Sequence, residues 1–362
     1  MTPLRPEEAL VLACVRRSVD VTEGADLNAR LAAVSDWDYA LRIARYHQVV
    51  PLLHRLLVRE RAPQLSPDRA ESLQLRFDES ATRARRLAGE LIRVVERAGR
   101  DGVALMPFKG PVLATEVYGS LTARQFDDLD LLVDPAQSGR AEQLLGTLGY
   151  RPRKDFGYEV KFVHQDHGST IDLHRELSSR AFPAPLPFDR LWSRRITVSL
   201  DGHPVQTLSA ADLFIALCLQ AGRDGWLGRT RLAKICDIGQ VMRSGPSLDW
   251  SRIADEAAFL RIRRLVEFGL GLARSVLRLP SSGLPAWGAH RRVNALVRQE
   301  EEALFDDRSS PPGGRVRGAR MYFHLREDWR DKLHPYWWLR VVPGLRPIRD
   351  GIRTLTARPR RS

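Results

Sequence analysis

Residues 108–133 read FKGPVLATEVYGSLTARQFDDLDLLV, and residues 171–176 read IDLHRE. In DLDLLV the apolar and acidic letters alternate, the pattern of a strand with one buried face. Leu129, Leu131 and Val133 point to one side, and Asp128 and Asp130 point together to the other. Side chains two apart on a strand stand roughly 6.5 Å apart. The second stretch alternates in the same way, with Ile171 and Leu173 opposite Asp172. Residues 158–164 and 170–174 read as a hairpin around QDHGS. Three aspartates thus fall on the polar faces of two adjacent strands.

Asp128 and Asp130 lie in apolar sequence, where an uncompensated charge is costly. Divalent metal is the simplest compensation. Two carboxylates at this spacing can converge on a pair of ions about 3.5–4 Å apart, and magnesium or manganese suits such oxygen ligands. Asp128 and Asp130 are the expected ligands of both ions. Asp172 is expected to complete one site and to act as, or orient, a general base. Upstream, a short apolar run ends in Lys109-Gly110-Pro111. Gly110 lets backbone approach a ligand closely, and Pro111 suits the first turn of a helix. A helix start favours phosphate. Lys109, Gly110 and Arg124 are therefore the expected holders of a triphosphate, with pairing to Asp128 as the alternative role for Arg124. His174 reads as a support for the site, since no zinc-type His or Cys spacing accompanies it. Asp127 reads as a solvated neighbour, and Asp166 falls in the turn.

The order of these elements resembles the family of uncharacterised nucleotidyltransferases with a DNA polymerase β-like catalytic core. Lys109-Gly110, Tyr118-Gly119, Arg124, Asp128, Asp130 and residues 172–174 carry the resemblance. Residues 217–241, LCLQAGRDGWLGRTRLAKICDIGQV, resemble the family's helical region. There the chain departs from the pattern: Gln220 and Asp224 stand where histidines are common, and Lys234 stands where tryptophan is. The resemblance spans roughly residues 39–350, with specific motifs only in the middle third. It implies an α+β fold, a small mixed sheet of polymerase β-like type flanked by N-terminal helices and a C-terminal helical domain. It also implies a metal site, an NTP as co-substrate and transfer of a nucleoside monophosphate with release of pyrophosphate. It supplies no acceptor.

The 362 residues suffice for two or three packed units. We expect an N-terminal helical cap at 1–101, a catalytic core at 102–208, a helical domain at 209–308, and a linker with a basic aromatic tail at 309–362. Helices are expected at 6–19, 36–61, 67–99, 135–148, 229–243, 249–279 and 288–305, and a hairpin at 196–208. Cys14, Cys218 and Cys236 lie in apolar helical patterns and read as reduced core residues of a cytoplasmic protein. No apolar run approaches eighteen residues, so no membrane span is expected.

Residues 311–362 carry thirteen Lys or Arg against four Asp or Glu, while the whole chain has a net charge of +13. Six aromatic residues, Tyr322, Phe323, Trp329, Tyr336, Trp337 and Trp338, are interleaved with them. Such a tail can grip RNA, with cations on phosphates and rings on bases. It can lie on an anionic membrane surface, or dock its rings on the protein. The Trp-Trp pair followed by Leu339, Val341 and Val342 favours docking.

The acceptor classes left open are a small molecule, a peptide and an RNA end. A non-catalytic nucleotide-binding or antitoxin-like module on the same fold is the competing class, and the intact aspartates argue against it. Asp130→Asn is expected to abolish transfer and leave the fold intact, and Lys109→Ala to cost little stability.

Overall fold

The computed structural model describes residues 3–19, 27–178, 186–244, 248–280, 290–305 and 314–327. The chain opens with α1 (Pro6–Val19), α2 (Leu27–Ala32) and α3 (Trp37–Tyr46). Asp36 caps α3 by accepting from the Tyr39 N–H at 2.8 Å. The sequence predicts one helix across 36–61. The structure breaks it at Gln48, whose φ of 58° is left-handed and cannot continue a right-handed helix. The chain restarts as α4 (Val50–His54) and continues as one π-helical turn at Arg55–Arg59. Leu41 and Ile43 before the break enter the same apolar core as Leu53 and Leu56 after it, so apolar periodicity does not register the break.

Helix α5 (Pro67–Arg100) starts on a Ser66 cap with Pro67 in its first turn. Its first half reaches the helical core through Leu73, and its second half, from Ala84 to Ala98, underlies the sheet. The next elements are β1 (Leu105–Pro107), α6 (Gly110–Tyr118), β2 (Asp128–Val133), α7 (Ser138–Thr147), β3 (Tyr150–Asp155), β4 (Glu159–His164) and β5 (Thr170–His174). The five strands form one sheet in the order β1-β2-β5-β4-β3. Only β2 and β5 run parallel. The hairpin expected around QDHGS is β4–β5. Strand β3 has no counterpart in the sequence reading. After buried Tyr150 its residues are all exposed, and Pro152 stands beside a register irregularity. An edge strand of this kind lacks the apolar alternation that marks a buried one.

One sheet face buries Leu129, Leu131, Val133, Val160, Phe162, Ile171 and Leu173 against α5, α6 and α7. The opposite face carries Asp128, Asp130, Lys161, Asp172 and His174.

Beyond the sheet, α8 (Phe188–Ser193) precedes the hairpin β6 (Ile196–Leu200) and β7 (His203–Thr207). Its turn uses Asp201 and Gly202, at φ 52° and 83°, the left-handed pair that a two-residue hairpin turn requires. Ser209 caps α9 (Ala210–Leu227), accepting from the Asp212 N–H. The rest of the described chain is α10 (Leu232–Ser244), α11 (Trp250–Phe259), α12 (Arg263–Leu277), α13 (Arg291–Glu302) and α14 (Gly314–Leu325). The helix predicted over 249–279 divides at Arg261, whose φ is 55°. Helices α9 and α12 pack so closely that a Cβ on Gly269 would stand 2.9 Å from the Cys218 Cα.

Leu10, Val15 and Leu53 share one apolar cluster with Phe214, Ile238, Phe268 and Leu325. The N-terminal helices therefore share their core with the C-terminal helices. Helix α14, the described part of the expected tail, packs on α9 and α12 and buries Met321, Tyr322 and Leu325, with Tyr322 only 2% exposed. Trp329, Tyr336, Trp337 and Trp338 lie outside the described residues. Tyr322→Ala is expected to cost about 3–5 kcal/mol, as loss of a large buried aromatic does. Chemical denaturation checks this, and an unchanged midpoint contradicts docking of α14. Among the described residues no helix is long and apolar enough to cross a membrane. The three cysteines are free and buried.

Candidate active site

Strand register builds the site. Asp130 on β2 pairs with Asp172 on β5, and Asp172 pairs with Lys161 on β4. This sets an Asp-Asp-Lys row across three strands. In the adjacent row His174 stands between Leu132 and Glu159. Asp128 lies opposite Thr170, one row away from Asp130 on the same face. The sequence brings Asp128, Asp130 and Asp172 together as predicted. It gave no sign of Lys161 or Glu159, whose roles depend on cross-strand register rather than on spacing along the chain.

Lys109 precedes α6 and turns onto Asp130, with Nζ 3.2 Å from Oδ1. It is only 8% exposed. β1 delivers Lys109 to a buried position beside Asp130 rather than to an exposed strand end. His174 stands with Nε2 3.0 Å from the same Asp130 oxygen and Nδ1 3.4 Å from Glu159. Lys161 Nζ lies 2.9 Å from Asp172 Oδ1. Gly110 has φ +56°, and a Cβ there would lie 3.4 Å from the Asp128 carbonyl oxygen. Only glycine accepts that backbone without strain, and it opens α6 with its amide beside β2.

Arg124 does not pair with Asp128. Its Nε and Nη2 donate to the two carboxylate oxygens of Asp237 on α10, at 2.7 and 2.8 Å. The Tyr118 hydroxyl donates to the same carboxylate at 2.7 Å. This buried group ties the loop before β2 to the helical layer. The remaining Nη1 of Arg124 is buried without a hydrogen-bond partner. Asp127 is bound by Gln48 at 2.8 Å and by Arg83. Lys234, at the position where the family pattern has tryptophan, pairs with Asp224, so two of the departures from that pattern meet as an ion pair.

The electrostatics separate the three carboxylates. Burial raises Asp128, and the charges of Asp130 and Asp172 add to it, pushing its pKa up to about 6. Burial would also raise Asp130, but Lys109 and His174 outweigh it and hold that carboxyl well below the usual range. Asp172 is raised, by burial first and by Asp130 and Glu159, against the pull of Lys161. Such a cluster of perturbed groups marks a functional site more often than a structural one.

The donor set fits a hard divalent cation. It offers oxygen ligands on one rigid face, with the buried Asp172 Oδ1 held only by Lys161 at 2.9 Å. Asp128 and Asp172 are both raised by burial first and then by the charge of Asp130, a repulsion that a cation would relieve. Among the described residues no three acidic, His or Cys side chains converge into a ready cage. Lys109 and Lys161 supply the positive charge in this arrangement. Magnesium takes only one or two carboxylates and fills its shell with substrate phosphate and water, so a ready cage is not required.

The small mixed sheet thus carries paired aspartates on one strand and a third on its neighbour. The chain belongs to the family of uncharacterised nucleotidyltransferases, whose sequence model matches residues 33–278. Among solved structures it is similar to the solution structure of the antibiotic-resistance factor ANT(2'')-Ia, with 16% identity over 49% of this chain and 92% of that one, at a TM-score of 0.38. A crystal structure of ANT(2")-Ia with adenylyl-2"-tobramycin gives 17% identity over 49% and 98%, with a TM-score of 0.35. An antigenic nucleotidyltransferase-like protein from Paracoccidioides brasiliensis gives 14% over 55% and 96%, with a TM-score of 0.33. No curated protein matches the chain.

Proposed function

We propose that this nucleotidyltransferase moves a nucleoside monophosphate from an NTP to a hydroxyl-bearing acceptor, using the Asp128, Asp130 and Asp172 face with a divalent cation. The single observation that carries the reading is the row of Asp130, Asp172 and Lys161 beside Asp128, set by strand register. Asp128, Asp130 and Asp172 would hold magnesium or manganese, which neutralises charge on the phosphates and the departing pyrophosphate. Lys109, the Gly110 amide at the start of α6 and the unpartnered Nη1 of Arg124 would bind the triphosphate. His174 stands against Asp130 and Glu159 and fixes the Asp130 carboxylate. The raised proton affinity of Asp172 suits it to take a hydroxyl proton, since a base works best when its pKa approaches the working pH. Lys161, beside Asp172, holds that carboxylate in place until substrate enters.

The experiment is titration with an unhydrolysable NTP in magnesium. Lys109→Ala is expected to weaken binding about ten- to a hundred-fold, the equivalent of roughly 1.5–3 kcal/mol for a charge-assisted hydrogen bond. Equal affinity in wild type and variant would leave Lys109 only its ion pair with Asp130.

A further inference from the structure

Beside the catalytic strand lies a second feature that the reaction described above does not use. A cleft of about 420 Å³ is lined by Arg42, Arg45, Tyr46, Gln48, Arg83, Gln125, Asp127 and Arg231. It gathers the end of α3, the Gln48 turn, α5, the loop before β2 and the start of α10. Four arginines face one carboxylate, Asp127, and Gln48 and Arg83 already bind that carboxylate. Arg42 also stands 3.9 Å from Asp36 at the outer edge. Two further observations give the ligand its chemistry. Tyr46 is 54% exposed, and the Arg231 guanidinium lies 5.4 Å from its ring centroid. The side-chain oxygen of Gln125 is buried with no hydrogen-bond partner.

We propose that this cleft binds the acceptor, and that the acceptor is a single-stranded RNA end. The inference rests on the nucleotidyl-transfer reading of the Asp128 face. Guanidiniums take backbone phosphates and a tyrosine ring takes a base, the combination that holds single strands. The orphaned Gln125 oxygen asks for an O–H or N–H donor, which a ribose hydroxyl supplies and deoxyribose at that position does not. Asp127 lines the cleft and immediately precedes Asp128 in the chain, which sets the cleft at the start of β2.

The test uses the full chain, a short fluorescent single-stranded RNA, a DNA of the same sequence, and an unhydrolysable NTP. Wild type should bind RNA with steep salt dependence and more tightly than DNA. Arg42→Ala/Arg45→Ala should weaken RNA at least tenfold and flatten the log–log salt slope by about 1.4, at roughly 0.7 per phosphate contact on a single strand. Tyr46→Ala should weaken RNA without changing that slope. Both variants should keep wild-type NTP affinity and melting temperature, because the altered side chains are exposed. RNA affinity unchanged in both variants would overturn the proposal and move RNA binding elsewhere on the chain. A matching loss of NTP affinity would overturn it by making the cleft a donor site. Equal affinity for DNA and RNA would remove the ribose assignment. Failure of wild type to bind NTP while RNA binding follows the expected pattern would sink the transferase reading and leave the cleft standing.

Discussion

Asp128→Asn should abolish nucleotidyl transfer and leave the protein as stable as wild type, or more so, in the absence of divalent cation. Loss of a charged group aimed at a transition state costs about a hundred- to a thousand-fold in rate, and loss of a metal ligand should cost no less. The stability effect has the opposite sign because Asp128 is raised by burial and by its two acidic neighbours. Its contribution to stability is fully present below its ordinary value of 3.8 and is lost as the pH rises to about 6. The melting-temperature advantage of the variant should therefore grow between about pH 4 and pH 7. Asp130→Asn should lose activity equally but behave differently in unfolding. Asp130→Asn is expected to destabilise the fold, because Asp130 carries the ion pair with Lys109 and the contact with His174. Breaking a buried pair by removing one partner costs about 3–5 kcal/mol. Its lowered pKa means that this stabilisation is present above the unfolded value and is lost as the pH falls. Melting curves of the two variants at two pH values check both signs.

Arg124→Ala should unfold the protein more readily by a similar about 3–5 kcal/mol. The substitution leaves Asp237 buried with only the Tyr118 hydroxyl. Arg124→Lys should recover little, since one ammonium cannot reproduce the two parallel bonds to the carboxylate. Urea denaturation of both variants reads the result. A midpoint close to wild type for Arg124→Ala would mean that the Asp237 pair contributes little to stability.

The aspartates were legible because alternation along a strand fixes the face of each side chain, whatever the tertiary context. Gly110 and Pro111 were legible because a positive φ and a helix start each restrict residue type. Lys161 and Glu159 were not, because their partners are fixed by the registers β4–β5 and β2–β5 rather than by position along the chain. The partner of Arg124 stands on a helix more than a hundred residues away, and no local pattern announces it. Strand β3 was missed because an edge strand displays charge where a central one displays valine or leucine. The basic cleft was missed for the same reason as Lys161. Its arginines come from α3, α5 and the residue before α10, and each alone reads as a solvated charge in a chain rich in arginine.

Label transfer from an NTP carrying radioactive phosphorus at the α position tests the central claim most directly. Wild-type protein with magnesium, given RNA and small-molecule pools, should move the α label onto an acceptor, leave a γ label in pyrophosphate, and stop when magnesium is chelated. Asp128→Asn should move none. Transfer of the γ label, or α transfer that persists in Asp128→Asn, would contradict the account.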